Sequence, residues 1–212
     1  MIGPCGTVGA WVIGVVAPLE VVAVCVVVFK VVPLAPVPLA EKYLTEAELD
    51  RTEPRYPIDL YMCVDCAHVQ LLDVIDPKVL WADFTFWSGQ SPRIVEHLMD
   101  VADQTCRTYK PAAGSLVVDV GSNDGTLLLG FKRKGLKVLG IDPAVEIARK
   151  ATESGIETLP EFLSLELART IRKAHGPASI VTCFNAFAHS DDMAGMAESI
   201  RHPAVKKDTP IS

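Results

Sequence analysis

A chain of 212 residues, half of them hydrophobic and 22% charged, is long enough for one or two domains with a true core. A net charge of −6 without a basic stripe argues against nucleic acid as a partner. Of six cysteines only Cys63 and Cys66 form a C-x-x-C pair, which points to metal or redox chemistry in the cytoplasm rather than to a disulfide scaffold.

Residues 1–32 differ from the rest in being rich in Val, Gly and Ala. Residues 8–32 have the length of a membrane span. Pro18 and Glu20 near the centre argue against one, since a mid-membrane acid costs about 2.5–3.5 kcal/mol on insertion scales. No positively charged stretch precedes the run, which argues against a signal peptide. The segment reads as an atypical apolar N-terminus. Residues 33–39 alternate proline with Leu, Ala and Val, an extended chain, and a short helix is predicted over 45–50, with Thr45 and Glu48 as a capping box.

Residues 56–62 alternate as a strand into Cys63-Val64-Asp65-Cys66, and 67–72 alternate back out. Strand, C-x-x-C, strand is a zinc-knuckle hairpin, with Ala67 where a knuckle usually carries glycine. A structural zinc takes four ligands, and this chain offers one good pair, Cys63 and Cys66. Cys5 has no partner three residues on, Cys25 lies in an apolar run, and His68 follows Cys66 at an awkward spacing. A thioredoxin-type redox pair would open a helix, whereas this one joins strands; two plain thiols in a hairpin are the bland alternative.

A helix is predicted over 76–82 and another over 92–109, where Ile94, Leu98, Val101 and Ala102 share a face. Between them, residues 84–91 are aromatic and then hydroxyl-rich, either a packed linker or a segment laid over a pocket. Residues 110–114 mark a boundary. The chain is then organised around residues 116–129. Leu116 to Val120 reads as a strand buried on both faces, Gly121-Ser122-Asn123-Asp124-Gly125 is turn chemistry, and Asp124 or Thr126 can cap a helix burying Leu127, Leu128 and Phe131. A second apolar run, residues 138–141, ends in Asp142-Pro143.

Strand, glycine turn, helix, strand and acid make a nucleotide-type βαβ unit. Gly121 and Gly125 permit close approach of a ligand, and Asp142 stands where a carboxylate accepts both ribose hydroxyls of an adenosine. A dinucleotide fold wants G-x-G-x-x-G, and Asp124 would repel a pyrophosphate. An acidic loop suits a cationic ligand without phosphate, such as S-adenosylmethionine; an ordinary α/β turn with a surface Asp is the alternative. Downstream, helix 143–155, strand 156–159, helix 164–175 and strand 180–184 follow, with Leu165, Ala168 and Ile171 facing in. Asn185-Ala186-Phe187-Ala188-His189 leaves the carboxyl end of the last strand, where ligands bind in open α/β sheets, and a helix follows over 191–200.

Together, Tyr56-Pro57-Ile58-Asp59-Leu60, C-V-D-C-A-H-V-Q-L-L, S-G-Q-S, V-D-V-G-S-N-D-G-T-L-L, G-I-D-P and N-A-F-A-H resemble, in order, the zinc-containing sugar C-methyltransferases acting on nucleotide-linked 4-keto-deoxysugars. The resemblance covers residues 33–200. It implies an α/β fold with a Rossmann-like class I methyltransferase sheet, incomplete here, preceded by a small zinc-knuckle-like β domain. The expected partition is an apolar N-terminus (1–32), a zinc-binding-like domain (33–82), a linker and helix over the cofactor pocket (83–113), a cofactor domain (114–200) and a tail (201–212).

The resemblance also implies roles. Gly121, Ser122, Asn123, Asp124 and Gly125 would shape the methionine side of an S-adenosylmethionine pocket. Asp142 and Pro143 would hold the ribose side, Asn185, Ala186, Phe187 and His189 would line the far wall, and Ser88 and Ser91 would close it. Cys63 and Cys66 would bind zinc. Phe84 and Phe86 stand where the family usually has tyrosines. The partner would be a small molecule, a nucleotide sugar, with no nucleic acid and no membrane. Removing the proton alpha to the ketone needs a base, and His189 is the titratable group near the pocket; a pocket-lining histidine is the alternative. The family's first C-x-x-C, its later strands, its substrate domain and its His/Tyr/Glu-rich catalytic loop have no counterpart in this sequence. The expectation is therefore a truncated or divergent methyltransferase, with a cofactor-binding module lacking turnover as the alternative and a NAD-dependent oxidoreductase disfavoured by the acidic loop.

Overall fold

The structure, a computed structural model, describes residues 27–201. The expectations for the apolar N-terminal run, Cys5, Cys25 and the polar tail fall outside the described residues, apart from the few N-terminal residues that enter the first strand. The described residues divide into two compact units, 27–80 and 81–201.

In the first unit, β1 (Val28–Val32), β2 (Leu60–Cys63) and β3 (Val69–Gln70) form an antiparallel sheet in the order β1-β2-β3. Val28 lies opposite Cys63 and Phe29 opposite Met62. The sheet thus takes in five β-branched-rich residues that the sequence partition leaves in the N-terminal segment. β2 is shorter than the strand expected over 56–62. Pro57 has no N–H for a ladder, and Tyr56 makes only an isolated bridge with Val37. The helix expected over 45–50 is one 3₁₀ turn, Glu46–Glu48, with the Thr45 N–H donating to Glu48 Oε2 at 3.1 Å. Lys30 pairs with Asp59, whose Oδ1 also accepts from the Leu34 N–H at 2.8 Å. The Lys30 hydrogen bond holds the Asp59 carboxyl below the usual carboxylate range. Among residues 27–80 only Cys63 is buried. α1 (Pro77–Trp81) spans the boundary between the units.

The second unit opens on α2 (Pro92–Tyr109), over the range expected from its apolar spacing. Then follow β4 (Leu116–Val120), α3 (Thr126–Arg133), β5 (Lys137–Ile141), α4 (Val145–Glu153), β6 (Thr158–Leu159), α5 (Leu165–His175), β7 (Ala178–Thr182) and α6 (Met193–Arg201). The four strands are parallel in the order β6-β5-β4-β7. The chain steps outward from β4 to β5 to β6, then returns to the opposite side of β4. Between β4 and β7 the order reverses, and that is where a crevice opens at the carboxyl edge of such sheets.

β4 is buried along its whole length and serves two cores. Val117 packs with Leu127, Leu128, Phe131 and Ile180 on one face; Leu116, Val118 and Val120 pack with Leu139, Ile141, Ile171 and Val181 on the other. This is the two-residue alternation of a strand covered on both sides. α2 and α3 approach so closely that a Cβ on Gly130 would lie 2.7 Å from the Ala102 Cβ. The Ser164 Oγ caps α5 by accepting from the Leu167 N–H at 3.1 Å. α5 buries Leu167, Ala168 and Ile171, so Leu167 joins the expected inward face and Leu165 is only half-buried. β7 stops at Thr182, leaving Cys183 and Phe184 beyond the strand.

Candidate functional site

At the switch point the chain turns from β4 through Gly121–Gly125 into α3. Gly121 has a φ of 71°, and a Cβ there would lie 2.6 Å from the Ala186 Cβ. The loops after β4 and β7 therefore meet where no side chain fits. The N–H groups of Gly121 and Ser122 both donate to the Ile141 carbonyl, at 2.8 and 3.1 Å, which ties the loop to the end of β5. Asp142 comes next. Its Oδ2 accepts from the Asn123 N–H at 2.7 Å and its Oδ1 from the Ala144 N–H at 2.9 Å, the latter closing a turn around Pro143. Burial pushes the Asp142 carboxyl up, opposed by these two backbone donors and reinforced by the charge of Asp124. Loop and distal acid, paired in the sequence by spacing, are in direct contact.

Asp124 is engaged more heavily than a simple acid facing a cation. Its Oδ1 accepts from the Thr126 N–H at 3.1 Å and the Thr126 hydroxyl at 2.6 Å, and its Oδ2 accepts from the Gly89 N–H at 2.6 Å. The N-cap position of α3 is Gly125, at φ 77°, rather than Asp124 or Thr126, yet Asp124 still satisfies an amide of the first turn. Asn123, at φ 50°, occupies the left-handed region that asparagine tolerates. Its Oδ1 accepts from the Ser88 N–H at 2.9 Å, and its Nδ2 donates to the Phe86 carbonyl at 2.9 Å.

The segment 86–91 is thus a strap fastened to the loop. Sequence reasoning assigns pocket closure to Ser88 and Ser91. In the structure the contacts come from backbone groups of Phe86, Ser88 and Gly89, while Ser88–Gln90 is a 3₁₀ turn and Ser91 stands at the N-cap of α2. A Cβ on Gly89 would lie 2.8 Å from Asp124 Oδ2, so a larger residue there would press on the carboxylate that accepts from its own N–H. The Lys150 Nζ of α4 lies 4.9 Å from the centroid of the Trp87 ring.

Sequence reasoning passes over Asp119, which hides in an apolar run. It is buried in the middle of β4, its Oδ1 accepting from the Thr182 hydroxyl at 2.6 Å across to β7. Burial pushes its carboxyl up to about 7; the Thr182 bond lowers it and the charge of Asp142 raises it further. An acid amid Val-Val-Asp-Val is the signal that could have found it, because a buried carboxylate needs a partner. Ser122 is also buried, and its hydroxyl has no hydrogen-bond partner among the described residues; it lies over Gly140, where a Cβ would collide with it.

Beyond β7, Asn185 is exposed with a φ of 51°, and Phe187 opens the 3₁₀ turn Phe187–His189 and packs on the β4–β5–β7 core. Burial pushes the Cys183 thiol up to about 12, which keeps it protonated. His189 is exposed, with its ring 5.0 Å from that of Trp81, which in turn meets Phe84 edge-on at 5.3 Å.

In the other unit, Cys63 ends β2 and Cys66 sits in the turn that follows. The turn closes through the Cys63 N–H to the His68 carbonyl at 2.9 Å and the Ala67 N–H to the Cys63 carbonyl at 3.0 Å. Ala67 takes a φ of 59°, the backbone shape for which knuckles use glycine. No group of three His, Cys, Asp or Glu able to hold a metal ion occurs among the described residues. These residues supply two of the four donors that a closed zinc site takes.

The sequence matches the family model described as "Putative zinc binding domain" over residues 27–81. It is 32% identical over 163 residues to the C-methyltransferase NovU of Streptomyces niveus, covering 77% of this chain and 39% of that protein. The chain thus spans about two fifths of the length of that relative. Among solved structures, the magnesium protoporphyrin IX methyltransferase of Synechocystis PCC 6803 with bound SAH aligns at 17% identity and a TM-score of 0.42, over 52% of this chain and 51% of that one. The YcgJ protein of Bacillus subtilis aligns at 19% identity and a TM-score of 0.44, over 55% and 49%. Likenesses at this level carry no functional weight, and the fold rests on the strand order itself. No helix among the described residues is long and apolar enough to cross a membrane.

Proposed function

We propose that this chain, a relative of the zinc-containing sugar C-methyltransferases, binds S-adenosylmethionine at the β4–β7 switch point and serves C-methylation of a nucleotide-linked 4-keto-deoxysugar in the cytoplasm. The observation that carries this reading is Asp142. It is buried at the carboxyl end of β5 and held by two backbone N–H groups, one of them from the glycine loop. A carboxylate has about four acceptor sites, so two backbone bonds leave capacity for a vicinal diol. The Gly121–Ala186 approach brings the loops after β4 and β7 together beside it, and the unpartnered Ser122 hydroxyl lies within the glycine loop.

When bound, S-adenosylmethionine supplies an electrophilic methyl group on a positively charged sulfur. On this reading, Asp142 orients the ribose, Gly121 to Gly125 shape the methionine side, and Asn185, Ala186 and Phe187 form the opposite wall. His189 is the proposed acceptor of the proton alpha to the ketone. The packing of the His189 ring on Trp81 favours a second reading, in which it is a wall residue and the unit binds cofactor without turnover. For zinc, the described residues offer Cys63 and Cys66, and no step of the reaction is routed through a metal.

Calorimetric titration with S-adenosylmethionine and with NAD tests the cofactor. Binding of the first alone is expected. Asp142→Ala, checked for folding by circular dichroism, should weaken it by about 1–3 kcal/mol, the penalty of stranding buried hydroxyls. Unchanged affinity would remove the ribose role. Methyl transfer to a 4-keto sugar nucleotide then separates the two readings, since binding without turnover favours the second.

A further inference from the structure

Asn123 makes three hydrogen bonds in two directions. Its backbone N–H holds Asp142, and its side-chain amide grips the strap through the Ser88 N–H and the Phe86 carbonyl. The grip is matched in polarity, an acceptor facing a donor and a donor facing an acceptor, so reversing the amide would break both bonds. Asp124 adds a third fastening through the Gly89 N–H. On the other side, Lys150 of α4 lies over Trp87, so the strap reaches both arms that diverge from the β4–β5 edge. The strap has no ladder of its own; it holds its place through these few contacts and through α2, which begins where it ends.

We propose that Asn123 is a positioning residue that couples occupancy of Asp142 to the seating of the 86–91 strap. This rests on the reading that Asp142 holds the ribose of the cofactor. A ligand on the Asp142 carboxylate pulls on the acceptor of the Asn123 N–H, and the same residue carries two of the strap's fastenings. Ligand binding then tightens the strap, and a seated strap slows ligand escape. Asn123→Gly is the informative variant, because glycine accepts the positive φ and removes only the amide.

Hydrogen exchange of the peptide containing Ser88 and Gly89 reads the strap directly, with calorimetry and stopped-flow dissociation of S-adenosylhomocysteine alongside. In ligand-free protein, Asn123→Gly should speed exchange of that peptide about tenfold or more, the expected effect of removing two hydrogen bonds from a local opening. In the unaltered chain, saturating S-adenosylhomocysteine should slow it; in Asn123→Gly this ligand-dependent slowing should vanish while ligand release quickens. Asn123→Asp keeps the Ser88 acceptor and should restore part of the slowing. A chain that binds the ligand with no change at the strap overturns the coupling and leaves the cofactor reading standing. A chain that does not bind the ligand overturns both, and equal strap exchange in the ligand-free variant and parent overturns the fastening itself.

Discussion

The two units solve the problem of holding a chain in opposite ways. The parallel-sheet unit buries β4 on both faces and packs Phe131, Leu128, Leu139 and Ile171 to near-complete exclusion of solvent. The smaller unit buries Cys63 alone among its described residues and leaves Phe29, Val31, Val69 and Leu71 on the surface. A segment of this size with so little apolar burial depends on other constraints, such as a metal, an ion pair or a turn of the right shape. Packing carries the parallel-sheet unit; a knuckle of two thiols and the Lys30–Asp59 pair stand in for it in the smaller one.

This contrast can be broken most forcefully at Phe131. Phe131→Ala should destabilise the parallel-sheet unit by about 3–5 kcal/mol in denaturant titration while exchange in the knuckle peptide stays unchanged. Loss of protection in both units together would mean that they do not fold separately. Asp119 comes next. Its carboxyl is raised when folded, so the folded state holds a proton that the unfolded chain has released. Stability is therefore full below about pH 4 and falls as pH rises towards about 7, by up to about 4 kcal/mol from this group. Asp119→Asn, which keeps an acceptor for Thr182, should flatten the pH dependence of the melting temperature over that range. An unchanged slope would rule out Asp119 as its source.

Zinc gives the third effect. At about a hundred times its dissociation constant it should stabilise the smaller unit alone by about 2.7 kcal/mol, lost in Cys63→Ser. Ala67→Gly should add about 1 kcal/mol to the same unit by relieving a left-handed alanine, visible as slower exchange of the Cys63 and Ala67 amides. The smallest effect belongs to Phe29→Ala. That ring is 45% exposed, so a change within about 0.5 kcal/mol is expected, against the large loss at Phe131.

Which parts were legible in the sequence follows the same contrast. β4, α2 and the inward residues of α3 stand in the sequence because burial imposes a strong period, and Leu116–Val120 and Pro92–Tyr109 match to the residue. Strands beside the knuckle are shorter than the alternation suggests, because exposed residues such as Val69 and Leu71 alternate without a core to enforce it. In the site, the pairing of the glycine loop with Asp142 was readable from spacing. The grip of Asn123 on Phe86 and Ser88 was not, since it uses backbone groups thirty-five and thirty-seven positions away that carry no residue-type signature. Asp119 escaped because its flanking valines give the strand period and its partner Thr182 lies on another strand.

The contact of Ala102 with Gly130 reaches further than its size. α2 runs from the end of the strap, and Ala102 lies eleven residues along it, about 16 Å from Ser91 at the rise of an α-helix. A larger side chain at either position would push the two helices apart where Ala102 meets Gly130 and tilt α2 as a lever. The seating of Phe86 and Ser88 on Asn123 would then be expected to shift, a consequence at a distance of two of the smallest residues in the unit.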